Sequence, residues 1–180
     1  MHRKRPVSVL VCIVGWITVL SGIGSGSAGW AADRPEETSD VLLITTTDDE
    51  VAAQQTADFL RAHQLDIMGV EGSIILVNYS GFKYVLQLIT YHNYPDRIII
   101  AALYRYKEEN LTALSSLICE INDKEYINAN MEPKLKMIRF NYWVTFDDTI
   151  TFSEIIKGMR FLRDNSRRII DKYELERYLQ

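Results

Sequence analysis

One segment constrains this chain's architecture more than any other. In MIRFNYWVTFDD, residues 137–148, Ile138, Phe140, Tyr142, Val144 and Phe146 alternate with Arg139, Asn141, Trp143 and Thr145. A period of two is the mark of a strand with one dry face and one wet face. The dry face must be covered by other elements, so the chain needs a sheet with helices on at least one side. Trp143 stands on the wet side. An aromatic of that size is there for an adjoining element, a ligand or a protein partner.

The neighbouring segments supply the rest of a sheet. SIILVNY (73–79) runs into the turn signal Ser80-Gly81, and FKYVLQLI (82–89) follows with Phe82, Tyr84, Leu86 and Leu88 on one side. In RIIIAALYRY (97–106) both alternating sets are largely apolar: Ile99, Ala101 and Leu103 against Ile98, Ile100, Ala102 and Tyr104. Such a strand is expected to be covered on both sides. EYINANM (125–131) places Ile127, Ala129 and Met131 on one face. It is expected to form a hairpin with residues 137–146 through EPKLK.

Three helices are expected between and around these strands. Residues 48–63 begin at Thr47 and Glu50, which have capping-box spacing, and carry a modest inner stripe of Val51, Phe59 and Leu60. The acidic run Asp48-Asp49-Glu50 suits the positive end of a helix dipole. Residues 110–122 carry Leu111, Leu114, Ile118 and Ile121 at three- and four-residue intervals. Residues 152–173 follow a second capping box, Thr151 with Glu154, and hold Ile155, Met159, Leu162, Ile169 and Tyr173 on one side. Arg160, Arg163, Arg167 and Arg168 lie on its other side. Short links favour antiparallel pairing. The expected fold class is α+β, an antiparallel five-stranded sheet with three helices in the order α-β-β-β-α-β-β-α.

The first thirty-odd residues read as a targeting segment. MHRKRP carries Arg3, Lys4 and Arg5, an uncharged apolar run follows, and Gly29 and Ala31 have the small-residue spacing of a signal-peptidase site. The expected organisation is a secretory signal over 1–31, a polar tether over 32–44 and one α+β domain over 45–180. The protein is then periplasmic or secreted. The alternative is an uncleaved segment that anchors the chain in the inner membrane. Residues 1–32 hold three basic side chains and no acidic one, so their removal moves the net charge from −4 to −7. That charge repels phosphate backbones and anionic membrane surfaces, which excludes a nucleic-acid partner and leaves membrane association to an uncleaved N-terminal segment.

The order of elements resembles the YbjN-type family of bacterial sensory-transduction regulators, which share the fold of type III secretion chaperones. The match is centred on LICEINDKEYINANMEPKLKMIRFNYWVTFDDTITFSEII. There a helix ends in Asn, a short strand follows, and a longer strand leads through acidic residues into a helix. The resemblance covers about residues 45–173. It implies a non-enzymatic, regulatory or protein-binding role, often as a dimer, and carries no catalytic residues with it.

The residues themselves point the same way. No G-x-S-x-G, H-E-x-x-H, Walker or dinucleotide motif occurs, and most of the nine glycines lie in the N-terminal segment. His63 and His92 lack a second histidine at ligand spacing. No catalytic residue, metal or cofactor is expected. After cleavage Cys119 has no partner for an internal disulfide, and it is expected to pack as a small buried hydrophobe. The candidate binding residues are Trp143, Arg139, Asn141 and Tyr104 on a sheet face that meets a protein partner or a second copy. The alternative is a hydrolase or small-ligand site in the loop YHNYPD, built from Tyr91, His92 and Tyr94.

Overall fold

The computed structural model describes residues 39–91 and 96–180. Its centre is the antiparallel pair β5 (Asp96–Arg105) and β7 (Met137–Phe146), in register from Asp96↔Phe146 to Arg105↔Met137. On one side β7 pairs with β6 (Asn128–Glu132), the expected hairpin. On the other side β5 pairs with β4 (Phe82–Ile89), and β4 with β3 (Ile74–Tyr79) through the Ser80-Gly81 turn. Gly81 has φ +78°, and Ser80 is also left-handed at +52°.

The main sheet has six strands, not the expected five. β2 (Asp66–Glu71) adds to the outer edge of β3, giving the order β2-β3-β4-β5-β7-β6. DIMGVE has no clean alternation because the ladder is bulged between Ile67 and Gly69 and the strand is half-exposed on both faces. A bulge shifts the period by one, which erases the sequence signal. A separate two-stranded sheet joins β1 (Val41–Leu43) to β8 (Thr149–Thr151). β1 lies in the stretch read as a polar tether, and Ile44 after it is fully buried in the main core.

α1 (Asp49–Ala62) is capped by Asp48, whose carboxylate accepts from the N–H groups of Glu50 (2.9 Å) and Val51 (3.2 Å). The expected cap, Thr47, is one residue too early. The buried face of α1 is made of Ala52, Ala53, Thr56, Ala57 and Leu60, while Val51 is exposed. Small residues let this helix approach the sheet closely. α2 (Leu111–Lys124) buries Leu114, Ile118 and Ile121, and Leu111 stays exposed. Asn122 ties it to β6 by accepting from Ala129 N–H (2.7 Å) and donating to Ala129 C=O (2.8 Å). α3 (Phe152–Lys172) starts at the expected Thr151–Glu154 capping box. Its apolar stripe of Ile155, Met159, Leu162 and Ile169 is fully buried.

α3 crosses β5 and β7 at Gly158. A Cβ there would lie 2.5 Å from Ile100 Cδ1 and 3.0 Å from Val144 Cγ2. The helices thus sit on the face of Ile98, Ile100, Tyr142 and Val144. A short 3-10 helix (Leu175–Tyr178) returns along α3, and Leu179 bridges Tyr106 at the end of β5. Both described ends of the chain therefore join the helix-side core, which includes Ile44, Leu175 and Leu179.

Glu125, just after α2, locks that helix to α3. Its buried carboxylate accepts from Arg168 Nη2, Lys172 Nζ (2.8 Å) and the Tyr173 hydroxyl (3.2 Å). These donors, Arg168 first, hold its pKa down at about 2, against an ordinary 4.5.

Two outcomes are expected. Gly158→Ala gains about 1 kcal/mol of helix propensity but overpacks the crossing by about 1–3 kcal/mol, for a net loss of about 1 kcal/mol. Ile100→Val removes the nearest atom, so a double-mutant cycle by urea unfolding should show partial recovery. For Glu125 the folded pKa lies below the unfolded one. Its stabilisation is present above about pH 4.5 and lost as pH falls towards about 2. Glu125→Gln should lower stability at neutral pH and flatten the acid-unfolding profile across that window.

Candidate functional site

The face of the sheet turned away from the helices is set by the β5–β7 register. Ile99 pairs with Trp143, Ala101 with Asn141 and Leu103 with Arg139. β4 extends the same face, since Val85 pairs with Ala101 and Gln87 with Ile99. Among the described residues no helix lies over this outer face. Trp143 is 51% exposed. Ala101 and Val85 are buried but stand outside the main core cluster.

Three of the expected sheet-face residues, Trp143, Arg139 and Asn141, are brought together by alternate positions on β7. Tyr104 is not with them. It pairs with Ile138, packs edge-on against Phe140 at 5.7 Å and shares a hydrogen bond with Ser166 of α3 at 3.1 Å. It therefore belongs to the helix side. The reason is parity, because Tyr104 is an odd number of residues from Ile99 and Leu103.

The polar groups on the outer face are poorly satisfied. Arg139 Nη2 donates to Gln87 Oε1 at 3.3 Å, so the two side chains reach across β5 over Ala101. Arg139 Nε and Asn141 Oδ1 are buried with no hydrogen-bond partner among the described residues. Burial pushes the Arg139 pKa down, and Glu132 offsets this in part. Gln87 was not singled out from the sequence. Its position opposite two apolar strands was the available signal.

The aromatic loop is described only at its edge. Tyr91 donates its backbone N–H to Asp96 Oδ1 (2.8 Å), and Arg97 lies 5.7 Å from its ring centroid. His92 and Tyr94 lie outside the described residues. Asp96 is buried, and desolvation raises its pKa, with the Tyr91 N–H opposing. Asp49 of the acidic run accepts from Thr90 N–H and Oγ1, both at 2.7 Å. With Asp48 capping α1, two of its three carboxylates have structural work.

His63 caps the C-terminal end of α1, its Nδ1 lies 2.9 Å from Phe59 O and donates to it in the tautomer that carries the proton there, and its ring stacks on Phe152 at 4.5 Å. Its Nε2 lies 3.4 Å from Asp40 Oδ1. Cys119 is exposed, contrary to the expected burial. It follows buried Ile118 by about 100° of helix rotation, which carries it off the inner stripe. No group of His, Cys, Asp and Glu suited to a metal occurs among the described residues. No described helix is long and apolar enough to cross a membrane.

No protein-family model matches the chain, and no curated protein matches its sequence. A solved structure does match it: the crystal structure of YbjN, a proposed transcription regulator from E. coli. The superposition has a TM-score of 0.51 at 11% identity and covers 71% of this chain and 94% of that one. The fold is of the YbjN type. At that identity the YbjN likeness speaks for the arrangement of helices and strands alone.

Arg139→Met keeps the apolar stem and removes the buried guanidinium. It is expected to stabilise the isolated chain by about 1 kcal/mol, because a buried unpaired donor costs about that much or more. Thermal melts at low protein concentration check this, and a clearly lower melting temperature would contradict it.

Proposed function

We propose that this chain is an exported, non-catalytic regulatory protein that binds protein, in the first place a second copy of itself, through the outer sheet face. The observation that carries the reading is an unpartnered donor and an unpartnered acceptor on one strand beside an exposed tryptophan: Arg139 Nε, Asn141 Oδ1 and Trp143. A two-fold contact is self-complementary, so residue i of one copy meets residue j of the other and the reverse. Arg139 of each copy then donates to Asn141 of the other, while the Trp143 rings and Ile99 bury against each other. The 3.3 Å bond to Gln87 is the sole side-chain hydrogen bond of Arg139 among the described residues.

Export rests on the basic, apolar and small-residue sequence of residues 1–31. A regulatory role agrees with the description of the YbjN structure. If the N-terminal segment stays uncleaved, it would instead anchor the chain in the inner membrane. The second reading, a hydrolase or small-ligand site at Tyr91, His92 and Tyr94, falls mostly on residues outside the described ones.

Sedimentation equilibrium tests the proposal. The chain is expected to dimerise, and Trp143→Ala to weaken the dimer about 30-fold, as loss of a central aromatic anchor of about 2 kcal/mol does. The melting temperature of the dilute monomer should barely change. A chain that stays monomeric at high concentration overturns the self-association.

A further inference from the structure

The sheet is forked at the end opposite the aromatic loop. β4 and β5 are paired only as far as Val85↔Ala101. Beyond that point β4 stays with β3, down to Tyr79↔Phe82, while β5 stays with β7, down to Arg105↔Met137. The C-terminal residues fill only the far part of the gap, where Gln180 N–H donates to Arg105 O and Tyr106 bridges Leu179. Between these contacts and Ala101 lies a cavity of about 150 Å³. It is lined by Phe82, Lys83 and Tyr84 from one prong, Leu103 and Tyr104 from the other, and Arg163 of α3.

The chemistry of this lining is one-sided. Tyr84 is only 2% exposed, and its hydroxyl has no hydrogen-bond partner among the described residues. Arg163 gives Nε to Asp164 (2.9 Å), and its two terminal nitrogens have no hydrogen bond within the described chain. The ring of Phe82 lies under Arg163 (5.8 Å) and, more closely, under Arg167 (4.5 Å). Both guanidiniums lie within cation–π reach of that ring, Arg167 the nearer. Arg160, one turn before, is tied to the Tyr79 hydroxyl (2.7 and 2.9 Å). Lys83, Arg163 and the Tyr84 hydroxyl are donors. The nearby Tyr104 hydroxyl is already engaged with Ser166. Asp164 satisfies only the Nε of Arg163, so its terminal nitrogens and the Tyr84 hydroxyl border the cavity without a partner among the described residues, an arrangement that suits a negatively charged acceptor.

We propose that this fork is a binding site for a small oxyanion, the carboxylate or phosphate group of a ligand, held by the Arg163 guanidinium and the Tyr84 hydroxyl. A planar guanidinium with two free nitrogens matches either group bidentately. The volume admits a head group and a short stem, since a water molecule takes about 30 Å³ of liquid. Asp164 sits on the far nitrogen of Arg163 and orients it. Arg163 and Tyr84 stand on the helix side, whereas Leu103 and Lys83 of the lining belong by parity to the outer face, so the cavity lies in the gap between the prongs.

The test is titration of the full chain with inorganic phosphate and, separately, with acetate, by isothermal calorimetry and thermal melting. Sodium chloride at matched ionic strength is the control. A saturable heat and a saturable rise in melting temperature are expected with at least one probe and not with chloride. The better probe identifies the head group. Arg163→Gln should weaken binding about 10–100-fold, and Tyr84→Phe about 5–10-fold, the range for a hydrogen bond to a charged group. Tyr84→Phe keeps the ring and deletes the unpartnered hydroxyl, so without probe it should melt no lower than the parent. It decides the matter alone if Arg163→Gln does not fold. Absence of a saturable response to both probes, or equal affinity in every folded variant, overturns the proposal.

Discussion

The antiparallel ladder between β5 and β7 joins the two longest strands over ten residue pairs. Once that register exists, every side chain on both strands has its face assigned. A slip of β7 by one residue would turn Ile138, Phe140 and Val144 out of the core and put Arg139 and Asn141 in it. α3 reads the register at Gly158, where the helix backbone comes close enough to touch Ile100 and Val144. The capping box at Thr151 starts that helix directly after β8, so the approach angle is set from within the chain. Helix, ladder and glycine form one mechanical unit, and the remaining strands and helices attach to its edges.

The two faces of this unit differ in how their polar groups are treated. On the helix side the buried polar atoms are mostly paired locally. Thr56 donates to Ala52 O (2.8 Å), Ser166 to Arg163 O (3.0 Å), and Asn122 serves Ala129 twice. The outer face leaves Arg139 Nε and Asn141 Oδ1 without partners, and the fork leaves the Tyr84 hydroxyl in the same state. Desolvation pushes the Tyr84 pKa up to about 12, against the opposing influence of Arg163, so the hydroxyl keeps its proton and remains a donor. An unpaired buried group costs about 1–3 kcal/mol. Such groups therefore mark places where the fold gives up stability, and these two places are also where apolar or cationic side chains stand ready for contact.

Legibility in the sequence followed the range of the interaction that produces each feature. The alternation of residues 137–146, the capping box at Thr151–Glu154 and the stripe Leu114-Ile118-Ile121 are local patterns and survive into the structure unchanged. β1 and β8 are three residues each, too short to show any period, and exist because they pair with each other. β2 was hidden by its bulge. At α1 the cap is Asp48 and not the expected Thr47, because the Asp48 carboxylate is the group that reaches the N–H groups of Glu50 and Val51. The outer face was half legible: Trp143, Arg139 and Asn141 share one strand, so their parity is certain. Tyr104 lies on another strand, and its face depends on the inter-strand register. Gln87 and the fork depend on three strands at once.

What the sequence determined by itself was the type of each long element and which residues of one element share a face, because both follow from backbone geometry over a few neighbouring residues. What the tertiary structure decided was which faces meet. The division of β4 from β5 beyond Val85↔Ala101 and the gathering of Phe82, Tyr84 and Arg163 around one cavity join residues far apart in the chain. No local preference encodes such a distance. It is fixed only when the ladders and the helix crossing close together.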